Sequence, residues 1–170
     1  MPSSTFQVQL DTVPFTSKPS GGEIAAITRR LQQAAPSTVT YDEFEAAILE
    51  GRTWCGACYA PCTASWGEFL GQQIFAIDVD HGLDPLDALQ RCEDIGLPPL
   101  LLYFTFSATV EPWNPRYRLV FDYGEPVKTE AEAREVIADL LAEFPEADAA
   151  CKNPNRLFFG GIEVIRGWEV

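Results

Sequence analysis

Ile74-Phe75-Ala76-Ile77-Asp78-Val79-Asp80-His81-Gly82 is the stretch whose reading decides the fold. Four apolar residues in a row predict a short strand covered on both faces and ending at Asp80. Asp78 and Asp80 are two apart, so their side chains share a face of that strand and lie about 6.6 Å apart along it. Two carboxylates so placed are either a solvated strand end or a cation site. The apolar run in front of them favours the second, because open sheets put ligand crevices at the carboxyl ends of buried strands. Oxygen-only ligands suit Mg²⁺ or Mn²⁺. Without a cation the two acids repel, so removing either charge is expected to leave the fold unharmed. His81 is the chain's single histidine, which excludes any arrangement that needs two. It is either a phosphate donor beside the carboxylates or a turn residue.

Outward from this strand, Asp84-Pro85 supplies an N-cap and a first helical residue for a helix through Leu86, Leu89 and Cys92. Leu100 to Phe106 predicts a buried strand. Arg116 to Asp122 predicts another, with Tyr117, Leu119 and Phe121 on one face and Arg116, Arg118, Val120 and Asp122 on the other. Thr129 with Glu132 and Thr40 with Glu43 are capping boxes that open helices. Glu23 to Ala35 is a further helix, Phe6, Val8 and Leu10 a short strand, and Leu157 to Gly161 a last strand and turn. The expected organisation is an N-terminal strand and loop over residues 1–22, then one domain over 23–170. The fold class is α/β or α+β.

The chain has 170 residues, 46% of them hydrophobic, enough for one domain with a proper core. A net charge of −13 argues against nonspecific adhesion to nucleic acid or anionic membrane, though not against a local basic groove. No apolar run is long enough for a membrane helix and no signal-peptide order opens the chain, so a cytoplasmic location without membrane contact is expected. Cys55, Cys58 and Cys62 have ligand-like spacing but no fourth ligand beside them, so reduced thiols are expected rather than zinc.

Arg116 and Arg118 share a strand face with Asp122, either as the outer residues of a half-buried sheet or as partners for a triphosphate. Lys152 and Arg156 form a small basic island that offsets the acidic helix before it or touches nucleic-acid phosphate, with Asp148 beside it as a further carboxylate. GxxxxGK[ST], a strand-borne GxGxxG and GxSxG are all missing, which excludes P-loop, dinucleotide-binding and serine-hydrolase readings.

Taken in order, IFAIDVDHG, the helix after it, LLLYFTFS, RYRLVFD, the capped helix and DAACKNPNRLFFGG resemble the archaeo-eukaryotic primase superfamily. The likeness is to the compact primase-polymerase domains of phage and plasmid replication proteins, and it covers about residues 40–161. It implies an α+β fold with a mixed or antiparallel central sheet and flanking helices, like an RNA-recognition-motif core. It also implies two-metal nucleotidyl transfer, nucleoside triphosphates and a single-stranded or primed template, with any helicase a separate partner. On this resemblance Asp78 and Asp80 match the metal-binding pair, and Asp122, Asp148 and Glu163 compete for the third carboxylate. Ser107 matches a small residue at a strand end, and Arg118 stands near the place of a nucleotide-contacting histidine. Arg116 and His81 are further nucleotide-binding candidates; Lys152 and Arg156 are candidates for the template.

Overall fold

The structure, a computed structural model, describes residues 4–108 and 113–167. Its core is a five-stranded sheet in the order β4-β5-β7-β6-β8, built from β4 (Ala57–Tyr59), β5 (Phe69–Val79), β6 (Leu101–Thr105), β7 (Tyr117–Val127) and β8 (Gly161–Arg166). Every pairing in it is antiparallel. β5 and β7 are adjacent central strands, with Ile77 opposite Leu119 and Asp78 opposite Arg118.

One face of this sheet, formed by Phe75, Ile77, Val79, Leu119 and Phe121, buries against α3 (Pro85–Asp94) and α4 (Glu130–Glu143). Both helices begin as their sequences dictate. Asp84 accepts from Leu86 N–H ahead of Pro85, and Thr129 and Glu132 cap each other reciprocally.

The opposite face, carrying Ile74, Ala76, Tyr103 and Val120, is covered too. Its cover is a three-stranded antiparallel sheet in the order β2-β1-β3, made of β1 (Thr5–Pro14), β2 (Ser37–Thr40) and β3 (Arg52–Cys55). With it lies α2 (Tyr41–Leu49), opened by the Thr40–Glu43 capping box. Phe6, Val8 and Leu10 of β1 share one core with Trp54 and Ile74, which ties the N-terminal strand to the central sheet. α1 (Gly21–Gln33) lies against β1 and buries Ile27 and Leu31.

One of the two alternatives left open for Arg116 to Asp122, and the reading of Leu157 to Gly161 as a last strand, need correction. The Arg116 to Asp122 strand is not half-buried, because the N-terminal sheet closes the face that alternation leaves polar; Arg118 is 6% exposed. Leu157 to Gly161 is not the last strand. It is a strap that touches β3 through one bridge, Trp54 to Phe158, and β8 begins at Gly161. The cysteine-rich stretch, which shows no period, holds β3 and β4.

Candidate functional site

β5 and β7 carry Asp78 and Arg118 to directly opposite positions, and Arg118 Nε donates to Asp78 Oδ1. The second Asp78 oxygen accepts from Arg156 Nη2 at 2.9 Å, and the same nitrogen reaches Asp148 Oδ2 at 3.0 Å. One guanidinium nitrogen therefore bridges two carboxylates. Burial alone would raise the Asp78 carboxyl, but the charge and hydrogen bond of Arg118, and then of Arg156, outweigh it and hold it below the ordinary value. Burial would likewise lower Arg118, and the charge of Asp78 keeps it firmly protonated.

Arg118 is fixed from every side. Its Nη1 donates to Tyr103 Oη at 2.6 Å and to the Phe159 carbonyl at 2.5 Å, and its guanidinium lies over the Tyr103 and Phe158 rings. Tyr103 Oη in turn donates to the Phe159 carbonyl and accepts from Trp54 Nε1 at 3.1 Å. The strap of residues 157–160 approaches this network closely because Gly160 has no side chain: a Cβ there would stand 2.6 Å from Gly51 Cα and from the Ile48 carbonyl. The glycines after Phe159 thus serve packing around Arg118.

A 3₁₀ turn, Ala149–Lys152, holds the end of β5 from the other side. Asp148 N–H donates to the Asp78 carbonyl at 2.8 Å, Asp78 N–H donates to Cys151 Sγ at 3.3 Å, and Asp148 Oδ1 caps the turn through Ala150 N–H. Burial, then the neighbouring Asp78 charge, pushes the Cys151 thiol up to about 11.

These groups open onto a cleft of about 180 Å³ at the end of β5. Four cations line it, Lys18, Arg116, Arg118 and Arg156, with three carboxylates, Asp78, Asp80 and Asp148. Ser107 lines it as well. Asp80 is exposed one residue past the strand, and Asn114 fastens that corner: in the orientation that satisfies both ends, its amide donates to the Asp80 carbonyl and accepts from Arg116 Nε. His81 is exposed and lines a neighbouring hollow with Asp80 and Asp148.

The structure thus brings together Asp78, Asp80, Asp148, Ser107, Arg116, Arg118 and Arg156 of the residues the sequence marks. It does not bring Asp122, which sits four positions along β7 from Arg118, about 13 Å away at strand spacing. There Asp122 accepts from Tyr41 Oη, Gln73 Nε2 and Gly124 N–H. Glu163 is exposed on β8 opposite Phe104, and Lys152 is exposed outside the cleft lining. Lys18, Tyr103 and Trp54 carry no signal in the sequence; they arrive from a loop and two strands that only folding brings here. Cys55 and Cys58 are buried thiols donating to the Pro154 and Gly56 carbonyls.

The site's chemistry can be tested against a divalent cation. Among the described residues no three His, Cys, Asp or Glu side chains converge into a ready-made cage. Yet the Arg156 nitrogen between Asp78 and Asp148 shows that a positive group is held there by two carboxylate oxygens that accept from it. Arg156 Nε is buried without a hydrogen-bond partner, so the guanidinium that fills this place is not fully satisfied in it. Asp78 Oδ2 and Asp148 Oδ2 are oxygens of the kind a hard cation takes, and Arg156 occupies both.

No protein-family model and no curated protein matches the chain. Among solved structures the chain is similar to the AEP domain of the primase-polymerase of cyanophage S-2L, at 15% identity and a TM-score of 0.49. The likeness covers 93% of this chain and 72% of that one. Among the described residues no helix is long and apolar enough to cross a membrane.

Proposed function

We propose that the cleft at the end of β5 receives the phosphates of a nucleoside triphosphate, and that the chain is a nucleotidyltransferase of primase-polymerase type acting on a nucleic-acid template. The observation that carries this reading is the cation-and-carboxylate cleft itself: a chain of net charge −13 gathers Lys18, Arg116, Arg118 and Arg156 around Asp78, Asp80 and Asp148. Alternating fixed charges of this kind suit a polyphosphate and the cations that accompany it. At about 180 Å³ the cleft is smaller than pockets that engulf whole ligands, roughly 300 Å³ and more, so it takes the phosphates and leaves base and sugar at its mouth.

Within this reading Arg116 and Lys18 meet phosphate oxygens, and Ser107 stands at the same wall. Arg118 lines the cleft with its Nε and Nη1 already engaged by Asp78, Tyr103 and the Phe159 carbonyl. It holds Asp78 in place. Asp78, Asp80 and Asp148 are the residues that would hold Mg²⁺ or Mn²⁺, and a bound pair of such ions supplies charge neutralisation at the attacking and leaving oxygens. Replication of a mobile element is the setting that the order of sequence motifs supports.

The test is incubation with primed and unprimed template, triphosphates and Mg²⁺ or Mn²⁺, reading product length. Extension in either case supports the proposal. A second reading, a non-catalytic nucleotide-binding relative, is favoured by the engagement of both Asp78 oxygens with arginine; triphosphate binding without extension supports that one. Loss of triphosphate without extension indicates a phosphohydrolase.

A further inference from the structure

Arg156 differs from Arg118, the other arginine that touches Asp78. Arg118 is wedged between two rings and donates to three acceptors, whereas Arg156 is half-buried and spends a single nitrogen on Asp78 and Asp148. Its Nε lies buried with no acceptor, which is an unfavourable state for an N–H group. It sits just ahead of the strap, Leu157 to Gly160, and its backbone N–H turns back to the Asn153 carbonyl. Two features therefore meet in one side chain: it occupies the oxygen donors a cation would need, and it keeps donor capacity unspent.

We propose that Arg156 is a displaceable stand-in for the metal, closing the cation site until an incoming polyphosphate draws the guanidinium away. An anion entering the cleft offers acceptors to Nε and the remaining N–H groups, and the fork geometry of arginine suits two phosphate oxygens. As Arg156 turns to the anion, Asp78 Oδ2 and Asp148 Oδ2 are released together. Arg118 stays on Asp78 Oδ1 and keeps that carboxylate aimed at the cleft. The consequence is an order of binding: phosphate first, then the divalent ion that Asp78 and Asp148 hold. This inference rests on the reading of the cleft as a triphosphate and metal site.

The side chain is thereby given opposite effects on two ligands, which a merely structural role would not produce. The full chain is titrated with Mn²⁺ in the absence of any anion, following the free-ion paramagnetic signal, for wild type, Arg156→Ala and Arg156→Gln. In parallel a nucleoside triphosphate is titrated by calorimetry in excess chelator. Removing the guanidinium is expected to tighten Mn²⁺ binding by about tenfold or more, since a like charge and a competitor for both oxygens are lost, and to weaken metal-free triphosphate binding by a similar factor. Arg156→Gln, close in size and uncharged, should behave as the alanine variant does and guards against a folding defect. Mn²⁺ affinity unchanged or weakened in folded variants, with wild-type triphosphate binding intact, overturns the displacement alone. Wild-type protein that binds no triphosphate with or without Mn²⁺ removes the nucleotide reading and this inference with it.

Discussion

Asp78 and Arg118 face each other across the central β5–β7 pair, both nearly shut off from solvent, and each supplies the other's principal counter-charge. Their side chains lie on the sheet face covered by β1, β3 and α2, where Tyr103 and Trp54 complete the network. The end of β5 is thus set by an ion pair inside the protein, with Arg118 on one Asp78 oxygen and Arg156 on the other.

This reverses the expectation that neutralising Asp78 is harmless. Asp78→Asn leaves the Arg118 charge buried without its partner, and breaking a buried pair costs about 3 to 5 kcal/mol. For a chain of this size that lowers the melting temperature by roughly 6 to 20 °C. Asp80→Asn, at an exposed position, should change stability by no more than about 0.5 kcal/mol. Thermal unfolding of the two variants beside wild type decides it: equal and small shifts would mean that Asp78 is not a structural charge.

The same pair sets an acid limit. Because the folded Asp78 carboxyl lies below its ordinary value, its contribution is complete above the unfolded value of about 3.9 and is lost as the pH falls through the depressed folded value. The stability gap between wild type and Asp78→Asn should be level from about pH 7 to 5 and narrow below about pH 4. A gap that instead narrows on going up in pH contradicts the assignment.

Tyr103→Phe keeps the ring under Arg118 and removes only the hydroxyl. Trp54 Nε1 then loses its acceptor, the Phe159 carbonyl loses one donor, and Arg118 loses one of its acceptors. Buried groups left unsatisfied cost about 1 to 3 kcal/mol each. Denaturant unfolding should show a lower midpoint with an unchanged slope; a wild-type midpoint would show that the strap does not depend on this hydroxyl.

What the sequence disclosed of all this follows the range of its signals. Apolar runs, period and capping are local: β5 carries the first, β7 the second, and α2, α3 and α4 apolar spacing with caps, so those elements are legible. The Ser20–Glu23 capping box of α1 is of the same kind. β2 and β3 have four residues each, too short for a period, so of the layer that closes the Arg118 face only β1 and α2 left a trace. The pairing of Asp78 with Arg118 has no local signal, because the two residues stand 40 positions apart. Asp122 has the right parity on β7 and the wrong distance, because face alternation says nothing about position along a strand. Arg156 and Lys152 look like one basic island in sequence, yet the 3₁₀ turn sends one into the cleft and leaves the other outside.

The cysteines divide in the same way. Cys58 and Cys92 are pushed up to about 12 and Cys151 to about 11, chiefly by burial, and Cys55 is raised further still. Cys62 is lowered, first by backbone N–H groups of Ala64 and Ser65, and is partly exposed. Thiolate, not thiol, is the reacting form. In the folded protein near pH 8 an alkylating reagent should label Cys62 alone, as read by mass spectrometry of peptides; prompt labelling at Cys55 or Cys58 would mean that β3 and β4 open.

On the proposed reading, Arg116 and Lys152 separate phosphate bound in the cleft from phosphate met outside it. Arg116 lines the cleft, and its Nε is held by Asn114, which leaves the remaining guanidinium N–H groups for a ligand. One charge-assisted hydrogen bond is worth about 1.5 to 3 kcal/mol, so Arg116→Ala should weaken triphosphate binding by roughly tenfold to a hundredfold. Lys152 is exposed at the end of the 3₁₀ turn and lines no wall of the cleft, so Lys152→Ala should leave triphosphate affinity alone. If a single strand runs past that turn, the same substitution lowers the slope of log affinity against log salt by about 0.7, the share of one phosphate contact. Calorimetry with triphosphate and salt-dependent binding of an oligonucleotide, done on both variants, separate the two roles. Equal losses of triphosphate affinity in both would place Lys152 at the cleft and undo the division drawn between them.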